Sequence, residues 1–122
     1  MGRTIVVVDD SDSIRELLRF NLESEGYHVL TGVDGADALK WFDGSKDIDL
    51  LLTDLHMPNM NGLDLIREVR KKQEFKYIPI LFLTTETRPE IKKEAKEAGA
   101  TGWITKPFNK ERLFSVLRKV LR

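Results

Sequence analysis

Five strand-length apolar runs alternate with five amphipathic helical stripes, and this alternation constrains the fold more than any other feature of the chain. Residues 4–9 (Thr-Ile-Val-Val-Val-Asp) form a β-branched run ending in acid, the pattern of a strand buried on both faces of a parallel sheet. Asp9, Asp10, Ser11 and Asp12 follow, all of them types that open helices. Ile14, Leu17, Leu18 and Leu22 then share one stripe, so the spacing predicts a helix from about Ser13 to Glu25, closed by Gly26. Residues 28–31 read as a second strand. Asp34-Gly35 opens a second helix with Ala38, Leu39 and Phe42 inward, stopped by Gly44. The third strand is residues 48–53, and its apolar run stops at Asp54, followed at once by a Met57-Pro58 turn. Gly62 precedes a third helix built on Leu63, Ile66 and Val69, with Arg70-Lys71-Lys72 complementing its C-terminal dipole. A fourth strand spans 78–83 and leads into Thr84-Thr85, with Pro79 near its start. Residues 88–98 form a fourth helix with a thin apolar face of Ile91, Ala95 and Ala98, which predicts a loosely held element. Residues 101–105 make the fifth strand, and a last helix over about 109–121 carries Leu113, Val116, Leu117, Val120 and Leu121.

Repeated βα units call for a parallel sheet with right-handed crossovers and helices on both faces: an α/β, doubly wound, five-stranded fold. A length of 122 residues suits one domain over residues 1–122. The absence of cysteine excludes disulfides, thiolate zinc sites and thiol catalysis, and two histidines are too few for a histidine metal cluster. No secretory signal pattern opens the chain, and no apolar run approaches the ~18 residues of a membrane span, so a cytoplasmic protein with no membrane partner is expected. Net charge is zero, which argues against nucleic-acid binding, but it is unevenly spread. Residues 1–54 carry 5 Lys/Arg against 12 Asp/Glu, a net of −7, and residues 55–122 carry 15 against 8, a net of +7. An acidic site in the first half and a basic face in the second are implied.

In a parallel sheet all strand C-termini share one edge, and ligands bind there, at the switch point of strand order. Four strands end in reactive residues: Asp9 and Asp10, Asp54, Thr84, and Lys106. A charge at the mouth of a buried strand must be solvated, paired or bound to a metal. If the first and third strands are neighbours, three carboxylates meet, and they need a cation to share the site. Oxygen-only ligands suit Mg²⁺ or Mn²⁺. A metal, a lysine and a hydroxyl around a carboxylate form a cradle for a phosphoryl group, with the carboxylate as nucleophile.

At these residues the chain resembles the receiver domain of two-component response regulators. Val-Val-Asp9-Asp10-Ser, Leu-Leu-Thr-Asp54-Leu-His-Met-Pro, Asn61-Gly62, Leu83-Thr84 and Lys106-Pro107-Phe108 stand in that family's order and spacing over essentially the whole chain. The run around Thr84, and Ala-Gly-Ala-Thr-Gly-Trp-Ile-Thr-Lys-Pro-Phe, is most similar to the stand-alone chemotaxis regulators. The resemblance implies strand order 2-1-3-4-5. It implies that Asp54 accepts a phosphoryl group from a sensor histidine kinase. Asp10, Asp54 and the His56 backbone carbonyl would ligate Mg²⁺ directly, with Asp9 acting largely through a metal-bound water. Lys106 would pair with Asp54 or the phosphoryl group, and Thr84 would swing toward the phosphoryl oxygens. Trp103 replaces the family's switch aromatic, commonly Tyr or Phe. The bond before Pro107 is expected to be cis. His56 and Glu86 occupy positions that tune phosphoryl lifetime. His56 could slow water by bulk or assist it as a base, although its plainer reading is a solvated loop residue offering only its carbonyl.

Plainer readings apply elsewhere. Asp12 reads as a helix cap, His28 as chemically idle and Trp41 as packing. Arg88, Lys92, Lys93, Lys96, Lys110, Arg112, Lys119 and Arg122 form either a solvated face or an output surface on helix four, strand five and helix five that docks an acidic or amphipathic target. With no further domain after helix five, output through protein–protein contact is expected, from a monomer or a weak phosphorylation-dependent dimer, with no turnover of a separate substrate. The close alternative is a phosphorelay carrier. A haloacid-dehalogenase-type phosphatase is disfavoured because His56 stands where those enzymes place a second acid. An FMN carrier is disfavoured because Asp9, Asp10 and Asp12 would repel a phosphate. A degenerate scaffold receiver is disfavoured by the intact set of five.

Overall fold

The computed structural model describes residues 2–121. Its strands are β1 (Thr4–Val8), β2 (His28–Gly32), β3 (Leu50–Thr53), β4 (Ile80–Thr84) and β5 (Gly102–Thr105). Its helices are α1 (Asp12–Ser24), α2 (Gly35–Ala38), α3 (Gly62–Arg70), α4 (Pro89–Ala98) and α5 (Lys110–Val120). All five strands are parallel, in the order β2-β1-β3-β4-β5. The chain steps from β1 outward to β2 and then back to β3, which places the switch point between β1 and β3.

Alternation along each strand splits the core in two. Val6, Val8, Leu51, Ile80 and Phe82 face α2, α3 and α4, where Ala38, Ile66, Val69 and Ala95 meet them. Ile5, Val7, Leu50, Leu52, Leu81, Leu83 and Ile104 face α1 and α5, where Leu18, Leu22, Leu113 and Leu117 meet them. β1, β3 and β4 are buried on both faces, as continuous apolar runs require.

Several expected boundaries shift for local reasons. The third strand starts at Leu50, not residue 48, because the Asp49 carboxylate takes the place of a ladder carbonyl: Thr4 N donates to Asp49 Oδ2 at 2.8 Å. The fourth starts at Ile80, not residue 78. Pro79 has no N–H to donate, although its carbonyl accepts from Leu51 N. Helix α2 is a single turn followed by a 3₁₀ segment, Leu39–Phe42. Ala38 packs directly on Gly32, and Trp41 Nε1 donates to the Thr31 carbonyl at 2.8 Å, so this stretch is pulled tight against β2. Trp41 therefore combines packing with a tether. Another 3₁₀ turn, Gln73–Phe75, precedes β4. The cap of α1 is Ser11, whose Oγ accepts from Ile14 N. Asp12, expected as a cap, is instead the first helical residue, exposed and bonded to Arg15. His28 is exposed at the start of β2.

Helix α4 buries one residue completely, Ala95, whereas α3 buries five, and no side chain caps its N-terminus at Arg88. Its C-terminal half is better held. Arg67 pairs with Glu94, and Arg70 donates to the Gly99 carbonyl through Nε at 3.1 Å and Nη2 at 2.7 Å. Arg70 thus does more than complement a dipole. Burial lowers its pKa, and four bonds to backbone carbonyls, including those of Phe75 and Lys76, satisfy it.

Candidate functional site

The register of β1 with β3 pairs Val8 with Thr53, so the next residues, Asp9 and Asp54, emerge side by side. Asp54 N donates to the Val8 carbonyl at 2.9 Å, and Asp9 N donates to that of Gly32 at 3.2 Å. Together with Asp10 they offer carboxylate oxygens all within 4.8 Å of one another. Asp9 is 2% exposed, and the Asp54 side chain 12%. Asp10 is exposed and has no side-chain partner among the described residues.

Lys106 follows β5 directly and reaches back across the edge. Its Nζ donates to Asp9 Oδ2 at 2.7 Å and to Asp54 Oδ2 at 3.1 Å. Burial of this ammonium acts to lower its pKa. The bond to Asp9 and the charges of Asp9 and Asp54 outweigh that, and the pKa stands above the usual lysine value. Lys106 is therefore a fixed cation, not a base. The remaining carboxylate oxygens are held by backbone N–H groups. Asp9 Oδ1 accepts from Ser11 N at 2.9 Å, and Asp54 Oδ1 accepts from Leu55 N at 2.6 Å. The Lys106–Pro107 peptide is cis, as expected.

Thr84 ends β4, opposite Thr105, and is fully buried. Its Oγ1 accepts from Glu86 N at 3.2 Å. The hydroxyl keeps its own proton for donation. Trp103 is half-buried. Its ring lies 5.4 Å from that of Phe82, Lys92 Nζ sits 5.6 Å from its centroid, and Nε1 donates to the Glu86 carbonyl at 3.2 Å. Glu86 thus joins both residues through its main chain.

Its carboxylate is engaged as well. The Arg88 guanidinium donates to both oxygens, at 2.9 and 2.8 Å, and the backbone N–H groups of Thr87 and Arg88 donate to Oε2. His56 Nε2 lies 2.9 Å from Oε1. A carboxylate only accepts, so that nitrogen carries the proton. The Arg88 side chain, then its backbone N–H, then His56 hold the Glu86 carboxyl well below the usual carboxylate range. The His56 side chain is 59% exposed, yet it is not simply a solvated loop residue: it bridges the Asp54 loop to the loop that precedes α4. Because Glu86 titrates below its ordinary value of 4.5 in the folded chain, its contribution to stability is complete above that pH. The contribution fades as pH falls through the lowered value. Urea titrations should therefore show the advantage of wild type over Glu86→Gln shrinking steadily as pH falls below about 4.5. A gap that stays constant over this range contradicts the assignment.

Two features escape sequence reading. Asp34 is buried at the N-terminus of α2 and accepts from Asn59 Nδ2 at 2.6 Å, while Gly35 N donates to the Met60 carbonyl. This clamps the loop after Asp54 to α2, with Asn59 in the left-handed region at φ 66°. Pro58-Asn59 is a turn signal, but nothing in the chain pairs it with Asp34. Arg15 is the second, with Nη1 donating to the Asp9 carbonyl at 2.7 Å. A surface groove of about 650 Å³ lies between α3 and α4 and contains none of the strand-end residues. No helix among the described residues is long and apolar enough to cross a membrane.

A doubly wound sheet with three acids, a lysine and a threonine at its switch-point edge defines an aspartate-centred receiver domain. The chain belongs to the response regulator receiver family of two-component signalling: the family model "Response regulator receiver domain" matches residues 5–118. Among its relatives, chemotaxis protein CheY1 of Helicobacter pylori is 40% identical over 118 residues, covering 96% of this chain and 95% of that one. Chemotaxis protein CheY4 of Vibrio cholerae superposes with a TM-score of 0.94 at 43% identity, covering 99% of this chain and 100% of that one. The receiver domain of sensor histidine kinase PA1611 from Pseudomonas aeruginosa, whose structure has a magnesium ion coordinated in the active-site cleft, superposes with a TM-score of 0.90 at 26% identity, covering 99% and 98%.

Proposed function

We propose that Asp54 is the phosphoacceptor and that a phosphohistidine on a sensor histidine kinase is the donor. The observation that carries this reading is the Lys106 ammonium bridging Asp9 and Asp54 beside Asp10, with Thr84 ending the adjacent strand. An Asp54 carboxylate oxygen attacks phosphorus. The P–N bond breaks, and the departing imidazole keeps the bonding pair and takes a proton from solvent. Lys106 offsets charge on the phosphoryl oxygens, and the Thr84 hydroxyl donates a hydrogen bond to one of them. The residues fit Mg²⁺ or Mn²⁺, because their donors are all oxygens, three acids converge, and the Asp10 carboxylate has no partner among the described residues. Asp9, Asp10, Asp54 and the His56 carbonyl would hold the ion. When bound, it supplies the positive charge that lets three carboxylates and a phosphoryl group share one site.

The protein acts as a switch that turns over only its own phosphoryl group. The His56–Glu86 pair stands beside the Asp54 loop and sets how readily water reaches that group. Movement of Thr84 frees Glu86 N, and movement of Trp103 breaks its bond to the Glu86 carbonyl, so both bias the thinly packed α4. Output passes through α4, β5 and α5. There Ala95, Ala100, Gly102 and Trp103 line a groove of about 220 Å³ rimmed by Lys92 and Lys96, which suits an acidic or amphipathic segment of a target protein. Lys110 and Arg112 add charge on α5. Arg122 lies outside the described residues. A chemotaxis role is favoured by the names of the relatives; a phosphorelay carrier is its variant. The protein works as a monomer or a weak dimer formed on phosphorylation, without nucleic acid.

Incubation with Mg²⁺ and acetyl phosphate should add one phosphoryl mass increment, lost on EDTA treatment beforehand and in Asp54→Asn. An increment that persists in Asp54→Asn overturns the assignment.

A further inference from the structure

We propose that Arg15 is a positioning residue for the divalent-cation site, acting through the main-chain carbonyl of Asp9. The proposal rests on the reading that Asp9, Asp10 and Asp54 hold Mg²⁺. Each acid is fixed differently. The Asp9 carboxylate is braced by Ser11 N and Lys106, and that of Asp54 by Leu55 N and Lys106. The Asp10 carboxylate has no brace among the described residues, so its aim depends on the backbone that carries it. That backbone is gripped from both sides. Asp9 N donates to the Gly32 carbonyl on β2, and the Asp9 carbonyl accepts from Arg15 Nη1 at 2.7 Å. The carbonyl belongs to the peptide that joins Asp9 to Asp10, so this bond sets the plane from which Asp10 departs.

Arg15 is built for this task. Its side chain is only 14% exposed, although α1 turns most of its charged residues outward. Its other guanidinium nitrogen holds Asp12, one turn earlier on α1. A planar fork spanning two acceptors resists rotation, and a single-point ammonium does not. The position is also costly for metal binding if charge alone counts. A permanent cation beside the acid cluster repels a divalent ion. Positioning and charge therefore predict opposite signs.

The test is calorimetric titration of the whole chain with MgCl₂ at low ionic strength, for wild type, Arg15→Ala and Arg15→Lys. Circular dichroism and metal-free thermal unfolding serve as controls for folding. Loss of a residue that orients metal ligands weakens affinity by 10–100-fold, and about tenfold is expected for Arg15→Ala. Arg15→Lys keeps one donor and the charge, and should recover part of that loss. Unchanged or tighter Mg²⁺ binding by a folded Arg15→Ala overturns the positioning role. So does a lysine variant no better than alanine. Wild type that binds no Mg²⁺ overturns the metal reading itself, and the proposal with it.

Discussion

Gly62→Ala should lower the stability of the protein by about 3 kcal/mol, at the upper end of overpacking costs. A Cβ at this position would lie 2.3 Å from the Asp54 carbonyl oxygen, 2.7 Å from Phe82 Cε1 and 3.0 Å from Leu55 Cα. Two of those three atoms are backbone and cannot rotate aside. The third belongs to a fully buried ring. Gly62 N also donates to the Leu55 carbonyl at 2.8 Å, so α3 cannot back away without losing the bond that closes the loop. Relief must come from the Asp54–Leu55 peptide itself. That peptide supplies the N–H holding Asp54 Oδ1. The substitution should therefore reduce phosphoryl uptake even in the fraction that stays folded. Thermal unfolding should fall by about 12 °C, taking about 4 °C per kcal/mol for a chain of this size. A variant within about 1 kcal/mol of wild type would show that α3 can shift freely, contrary to this packing.

The sheet edge is readable from the chain because a parallel sheet leaves no choice about where strand ends go. Once the first and third runs are recognised as strands, Asp9 and Asp54 must share an edge, and only their adjacency is in question. The register Val8 to Thr53 supplies it. Lys106 and Thr84 follow by the same logic. What is not readable is pairing between side chains on different loops. His56 and Glu86 stand 30 residues apart, and the same carboxylate is held by the Arg88 guanidinium. Asp34 and Asn59 are joined by the same kind of loop meeting. Arg15 stands three residues after Asp12 on α1, and only the path of the β1–α1 turn brings the Asp9 carbonyl within its reach. Element ends fail for a different reason. Asp49 replaces a ladder acceptor with its side chain, and Trp41 pulls α2 tight through a carbonyl on β2. Both are tertiary hydrogen bonds overriding a local pattern.

Lys106→Met should destabilise the metal-free protein by about 3 kcal/mol, and Mg²⁺ should restore most of the loss. Removing one member of a buried ion pair costs about 3–5 kcal/mol, because the partner's charge stays behind without compensation. Here two carboxylates lose the same cation, and all three groups are shielded: Lys106 is 15% exposed, and Asp9 and Asp54 less. Methionine matches the apolar stem of lysine and lacks only the terminal ammonium, so packing is a minor part of the change. On the proposed metal reading, a divalent cation held at Asp9 would have to share that carboxylate, the nearer partner of Lys106, with the same ammonium. Its removal should tighten Mg²⁺ binding, and the stabilisation conferred by saturating Mg²⁺ should be larger in the variant than in wild type. Alkaline pH offers a second reading of the same bond. The folded-state pKa of Lys106 is raised above 10.5, so its contribution is complete below that value and is lost as pH climbs through the raised one. Wild type should therefore lose stability above about pH 10.5 while Lys106→Met lacks that component. Equal Mg²⁺-induced shifts in melting temperature for the two proteins would mean that Lys106 and the metal do not contend for Asp9.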